Sequence, residues 1–311
     1  MKILLLIITC FMLCSCSYVE VNNLDIVNSI AIDYLDSNYI LKLEVITNDD
    51  VTILDGTGKS ISEAFESITL KTENNIYLAH LDTVFFTESV DLDKLINYFL
   101  REEKVNTTFY LLLTDSIDIY SKEVLGSKIN QILNNHNVYN FFHIAKRMNT
   151  NSDFIIPFYK NNNIESGYLF KDNKALLEVS YDYVEIYKIL DNIDGANLNI
   201  DDIDITLSNI NSRFSYNKDI NIYIYYDIKV NENNSKYKLD KKELIDVENI
   251  INKEIKERIN NFIKLIKYYD CDLFGLNNLI KSKEHSNYKD WINTDINIDI
   301  VGHISKKGLI K

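Results

Sequence analysis

Apolar residues alternate with polar ones along much of this chain, and elsewhere they recur at helical spacing. Leu24 to Asp33 predicts a first strand and Asn38 to Thr47 a second, with Tyr39, Leu41, Leu43 and Val45 on one face. Asp36-Ser37-Asn38 supplies the turn between them. Ser60-Ile61-Ser62-Glu63 is a capping box: the hydroxyl takes an orphan N–H, and the carboxylate three residues on reaches back. Ile61, Ala64, Phe65 and Ile68 then form the apolar stripe of a helix. His80 to Thr87 reads as a strand, and Asp91 caps a second helix with Leu92, Leu95, Ile96, Phe99 and Leu100 inward. Thr107 to Thr114 predicts another strand, and Ser121 to Met148 one or two helices. This order describes a mixed-sheet N-terminal α/β domain over residues 16–150.

The pattern changes near Pro157, the one proline. Short strands are predicted at Phe154–Lys160, Ser166–Phe170 and Leu176–Tyr181, then a short helix around Val184–Leu190. Asp191-Asn192-Ile193-Asp194-Gly195 is linker-like, which leaves a subdivision near 191–200 open. Asp202–Leu207 and Ile220–Val230 are strands; in the second, Ile222, Ile224, Tyr226 and Ile228 alternate with Tyr223, Tyr225 and Asp227. Asp240 and Glu243 resemble a capping pair before the clearest element of the chain. Leu244, Val247, Ile251, Ile255, Ile259, Phe262 and Ile266 recur every three or four residues, one face of a helix that is about 45 Å long from Asp240 to Tyr269. Lys241, Lys253, Glu254 and Lys264 lie on its polar face. Asp295 to Ser305 closes the chain as a strand. The expected class is α+β, with a C-terminal domain over 151–311 in which the long helix packs on an antiparallel sheet.

The first residues add an address. Lys2 precedes an apolar run from Ile3 to Leu13, about half of the roughly 20 residues a bilayer crossing needs, so residues 1–15 read as a signal peptide rather than a span. Leu13, Ser15 and Cys16 fit a bacterial lipobox, with cleavage between Ser15 and Cys16 and lipid on Cys16. Cys14 fits less well, because bulky Leu13 would then stand where a small residue is needed. An uncleaved signal anchor and a freely secreted product are the other readings of this leader. Cys10 and Cys14 leave with the signal and Cys16 would be blocked, so Cys271 has no disulfide partner and a hydrophobic core must hold the fold.

Net charge is −13, and the expected loss of Lys2 makes the mature chain −14. Such a surface repels phosphates, which argues against nucleic acid and against peripheral attraction to anionic lipid. Candidate chemistry is sparse. Gly56-Thr57-Gly58-Lys59-Ser60 resembles the end of a phosphate loop, but Ile53 stands where the first glycine is required, so a turn before a capped helix is the reading. The five histidines, His80, His136, His143, His285 and His303, form no zinc spacing. His80 and Asp82 would share one face of a strand and could be a base and its orienter, but no serine elbow or free nucleophilic cysteine accompanies them, so a hydrogen-bonded strand histidine is the reading. Asp201, Asp202 and Asp204 lack the glycine and distal glutamate of a calcium loop. Cys271, between Asp270 and Asp272, reads as a structural thiol whose neighbours raise its pKa. No catalytic residue, metal or cofactor is expected.

The ordered segments resemble a known family, the Ger(x)C lipoproteins, which are the C subunits of spore germinant receptors. Cys16 to Asp33 is similar to the family's segment from the lipid cysteine into the first strand, with Ser17 where a tryptophan is usual. Gly56 to Ala64 is similar to its G-x-G-K-T/S-x-x-E-A stretch, and Ala79-His80-Leu81 to its G-H-L. Gly167 to Lys171, then the long helix followed by Asp270 to Gly275, Trp291 and the closing strand, complete the series. The resemblance implies a non-enzymatic subunit carrying S-diacylglycerol and an N-linked palmitoyl chain on Cys16. It implies a place on the outer face of the cell membrane, at the spore inner membrane, beside A- and B-type membrane subunits. Whether such a subunit touches the small germinant directly stays open. Two other functions fit an exported acidic chain: a lipid-anchored solute-binding protein of a transporter, which needs two similar lobes, and an anchored hydrolase.

Overall fold

The computed structural model describes residues 23–47, 50–120, 124–150, 152–235, 243–284 and 290–306. β1 (Leu24–Leu35) and β2 (Asn38–Thr47) form an antiparallel hairpin. Asp36 and Ser37 at its tip both take the left-handed conformation, as a two-residue turn matched to strand twist requires. β3 (Asp50–Gly58) pairs antiparallel with β2. Its alternation is weak, and the glycine-rich stretch expected as a turn before the helix is instead paired strand through Gly58. α1 (Ile61–Thr69) follows, with Ile61, Ala64, Phe65 and Ile68 buried and the Ser60 hydroxyl accepting from the Glu63 amide. Glu63 reaches back to the Lys59 amide at 2.8 Å, one residue further than an ideal capping box.

β4 (Asn75–Tyr77) has no counterpart in the sequence pattern, and β5 (Thr83–Phe86) takes only the later part of the strand expected from His80 to Thr87; His80 lies in the turn between the two and is exposed. α2 (Leu92–Arg101) is capped by Asp91 and buries Leu92, Leu95, Ile96 and Phe99. Leu100, expected inward, is 47% exposed, since it falls off the 3.6-residue stripe. β6 (Tyr110–Thr114), α3 (Leu125–Asn135) and α4 (Phe141–Asn149) lead into β7 (Phe154–Lys160), β8 (Asn163–Lys171) and β9 (Lys174–Ser180). All nine strands form one sheet in the order β3-β2-β1-β5-β6-β7-β8-β9, with β4 also pairing with β1. β1, β5, β6 and β7 run parallel in the middle, and antiparallel meanders form both flanks. Hydrogen bonding thus carries the first sheet through Ser180, past the change of pattern near Pro157.

Two layers of helix cover that sheet. α1, α2 and α4 bury one face, where Ile61, Phe65, Leu95, Phe99 and Phe141 meet Ile30, Ile32, Leu111 and Leu113. On the other face α3 lays Leu125, Ile129 and Leu133 over Ala31, Phe85, Leu112 and Tyr159. A sheet buried on both faces explains the near-continuous apolar runs of β5 and β6.

The remaining elements are α5 (Tyr181–Leu190), β10 (Ala196–Ile200), β11 (Ile203–Asn217), β12 (Asp219–Asn233), α6 (Leu244–Tyr268), α7 (Leu276–Lys281), a single 3₁₀ turn at Trp291–Asn293, and β13 (Ile296–Lys306). The second sheet runs β10-β11-β12-β13. Its first three strands are antiparallel as expected, but β13 joins parallel to β12, because α6 carries the chain back along the sheet before the strand is added. Ile222, Ile224, Tyr226 and Ile228 face α6, which buries Val247, Ile251, Ile255, Ile259, Phe262 and Ile266 against them. Leu244 is only half-buried at the helix start, and Asp240 and Lys241 lie outside the described residues. A fully buried isoleucine contributes about 1.5–3 kcal/mol, so this seam alone outweighs any surface ion pair of the helix. Tyr226 donates to Asn252 Oδ1 at 2.8 Å, and Asn252 Nδ2 donates to the Gly302 carbonyl at 3.2 Å, tying α6 to β12 and β13. Gly302 has to lack a side chain, since a Cβ there would run into the Tyr226 ring.

The two sheets share a core. Ile155, Leu169 and Val179 of the first pack with the residues of α5, α6 and the second sheet.

Candidate functional site

Sheet and helix meet most closely at the start of α3. Its N-cap residue, Val124, offers no side-chain acceptor. The first amides find theirs in the sheet: Leu125 and Gly126 donate to Glu44 at 2.6 and 2.9 Å, and Ser127 donates to Asn28 Oδ1 at 2.7 Å. Glu44 is fully buried and also accepts from Ser29 Oγ at 2.9 Å. A carboxylate at a helix N-terminus satisfies orphan donors and complements the helix dipole. Gly126 sits so close to β1 that a Cβ would collide with Asn28 and Ser29. Asp82 completes the seat, accepting from Asn28 and from Ser127 Oγ, both at 2.9 Å, and from Asn130.

That arrangement corrects the reading of His80 as a hydrogen-bonded strand histidine sharing a face with Asp82. Asp82 precedes β5 and turns under α3, whereas His80 stands outside beside the Tyr77 ring, 5.7 Å between centroids. No base-and-orienter pair forms. The glycines of the apparent phosphate loop also have a packing role: a Cβ at Gly56 or Gly58 would meet α1 at Ala64 or Glu63. Asp201 and Asp202 are the left-handed pair of the β10–β11 hairpin, and Asp204 accepts from Asn199 at 2.6 Å, so the acidic run is a turn. His143 lies on Asn140 and Tyr139, His136 on Tyr181, and His303 3.6 Å from Glu248. His285 is outside the described residues. Among the described residues no group of three or more potential ligands could hold a metal ion.

Cys271 is buried, as expected of a structural thiol. Its pKa is pushed up to about 12, first by burial and next by Asp153, with Asp270 a smaller cause and Lys171 opposing. Sequence neighbours are therefore not the main cause; burial and Asp153, distant in sequence, are.

Arg147 joins the two halves. Its guanidinium pairs with Asp191, donates to the Leu273 carbonyl at 2.8 Å, and stands 5.3 and 5.6 Å from the ring centroids of Tyr139 and Tyr187. Tyr139 donates to the same Asp191 at 2.6 Å.

Beside α3, on the side away from Glu44, a cavity of about 360 Å³ opens between that helix, the β7–β8 hairpin and the start of α5. Its walls are Leu125, Ile129, Ile132, Leu133, Tyr159 and Val184, and His136 and Tyr181 meet at its edge, 3.1 Å apart. Neither this cavity nor the Glu44 seat had a motif in the sequence. The one available signal was weak: Glu44 shares the even-numbered face of β2 with Ile40 and Ile46 as well as with Lys42.

Ser15 and Cys16, the expected cleavage and lipidation positions, lie outside the described residues. β1 begins eight residues after Cys16, and it begins in the interior of the sheet, flanked by β2 and by β4 and β5. No described helix is long and apolar enough to cross a membrane.

Comparison with known proteins matches residues 17–161 to a spore germination protein N-terminal domain, and residues 166–307 to a spore germination B3/GerAC-like C-terminal domain. Among solved structures, the crystal structure of the GerBC protein is similar, with a TM-score of 0.56 at 17% identity, covering 89% of this chain and 96% of that one. That likeness bears on fold. No curated protein matches.

Proposed function

The chain belongs to the GerAC-like spore germination protein family, and from that premise we propose that it is a non-enzymatic, lipid-anchored subunit of a spore germinant receptor, needed for nutrient-triggered germination. The observation that carries this reading is coverage: two domains of one family, in order, account for nearly the whole chain.

The anchor reading rests on the Leu13–Cys16 lipobox. Two acyl chains give stable attachment where one is marginal, at roughly 0.8 kcal/mol per buried CH₂. The link from Cys16 to Leu24 reaches no more than roughly 28 Å even when extended. The globule is thus held within that distance of the bilayer, where A- and B-type membrane subunits would be at high effective concentration. With its acidic surface, the chain gains nothing from anionic lipid headgroups, so attachment depends on Cys16.

The rival reading, a solute receptor of a transporter, expects two similar lobes around a cleft. A nine-stranded sheet and a four-stranded sheet, joined through a common apolar cluster at Ile155, Leu169 and Val179, do not supply them. The test of the anchor is Cys16→Ala. The variant should fold as the parent does, leave the membrane fraction, and slow nutrient-triggered germination. Undiminished membrane retention with normal germination would remove the anchoring role.

A further inference from the structure

The cavity beside α3 has the size of a small-molecule site. At about 360 Å³ it equals the liquid volume of roughly a dozen waters, and it falls in the range of ligand pockets. Most of its wall is aliphatic, from Leu125, Ile129, Leu133 and Val184, with the Tyr159 and Tyr181 rings among them. Water in such a place has few partners, so an apolar body displaces it favourably.

The hydroxyls of the wall already give their hydrogens to neighbours. Tyr159 Oη donates to Asn162 Oδ1 at 3.3 Å, and Ser166 Oγ donates to Glu178 at 2.7 Å. The Asn163 amide donates to Glu165 at 2.6 Å. Asn162, Asn163 and Lys128 are exposed, so water reaches their N–H groups, and Lys128 is itself engaged. A hydroxyl has one hydrogen and two lone pairs, so the wall is left offering acceptors.

His136 follows the same rule. Its Nδ1 lies 3.1 Å from Tyr181 Oη. Glu185, one turn along α5, is a buried carboxylate that takes the Lys188 ammonium at 3.0 Å and the Asn197 amide at 2.6 Å. Burial, and then Glu185 through its charge and a hydrogen bond, raise the Tyr181 pKa, so the phenol keeps its hydrogen and gives it to Glu185. With that hydrogen turned away, the phenol oxygen accepts from the imidazole. Nδ1 therefore carries the ring hydrogen, and Nε2 is left with a lone pair. Donation runs from His136 through Tyr181 to Glu185, where Lys188 closes the chain. Its other end, at the cavity, is an acceptor. A carboxylate has no hydrogen to give there; a hydroxyl has.

We propose that this cavity binds a small uncharged alcohol or phenol with an apolar body, its hydroxyl donating to His136 Nε2. Such binding is independent of the receptor reading and of the lipid anchor. The test is calorimetric titration of the full chain in phospholipid nanodiscs, with empty discs as control. 1-Phenylethanol should bind saturably, and acetophenone, the same skeleton with a carbonyl in place of the hydroxyl, about ten-fold more weakly. His136→Phe removes the acceptor and keeps a ring, and should bring the two ligands within about two-fold of each other. Ile132→Trp, at a half-exposed wall position where bulk can be added without unfolding the helix, should abolish binding and leave the melting temperature within about 3 °C. Absence of saturable 1-phenylethanol binding to the parent chain overturns the proposal, as does acetophenone binding as tightly. It is overturned equally if the preference for the alcohol survives in His136→Phe, or if Ile132→Trp titrates as the parent does.

Discussion

Glu44 illustrates how one side chain can carry more structure than its place in a pattern suggests. In β2 the odd positions Tyr39, Leu41, Leu43 and Val45 point to one core, so Glu44 reads as solvent-facing. It is buried instead, because α3 covers the second face and needs an acceptor there. Glu44→Ala leaves two amides and the Ser29 hydroxyl without their acceptor, and should lower stability by about 3 kcal/mol in denaturant titration; Glu44→Gln should lose less. Asp153 gives a pH signature. Burial raises its pKa above the ordinary 3.8, against hydrogen bonds from the Asp272 and Asp172 amides. The folded state therefore holds this proton where the unfolded state has released it. Stability of the parent relative to Asp153→Asn should fall as pH rises from 3.8 through the raised value, and then level off. A difference curve that climbs with pH across that window would contradict the assignment.

Elements were legible where one face alone carries the information. β2, β12 and α6 follow their alternation or stripe, and the N-caps Ser60 and Asp91 mark two helix starts. β3 is hidden because Asp50 to Gly58 alternates weakly and the Gly-x-Gly-Lys-Ser stretch that starts near its end has the composition of a turn. β4 has three residues, too few for any period. The cavity was invisible for another reason. Its walls come from α3, the β7–β8 hairpin and α5, which only the topology brings together. α6 shows how much one legible stripe can hold. Ile255→Ala, in the middle of that stripe and fully buried, should lower stability by about 3 kcal/mol, with little change in helix content by circular dichroism.

At the scale of the molecule, the change of pattern near Pro157 and the organisation of the sheets do not coincide. β7, β8 and β9 follow Asn149, yet they complete the first sheet, and through Ile155, Leu169 and Val179 they also wall the second core. Arg147 spans the same boundary from α4 to Asp191 and Leu273. Arg147→Ala should cost about 2 kcal/mol and make unfolding less cooperative, since Asp191 loses its cation and the halves lose a shared contact. Calorimetric and van't Hoff enthalpies should then diverge, whereas a single two-state transition in the variant would refute the role of Arg147 as a coupler.

The parallel partnership of β12 with β13 also sets an order of events. Between Asn233 and Ile296 the chain has to lay down α6 and α7 before the fourth strand can dock beside its neighbour. Closing so long an excursion costs entropy that only the docked helix repays, so strand addition works as a latch thrown at the end of folding. Until it is thrown, the side of β12 that will receive β13 is an open hydrogen-bonding edge. A chain arrested at that stage would be the one most prone to accept a strand from a neighbour.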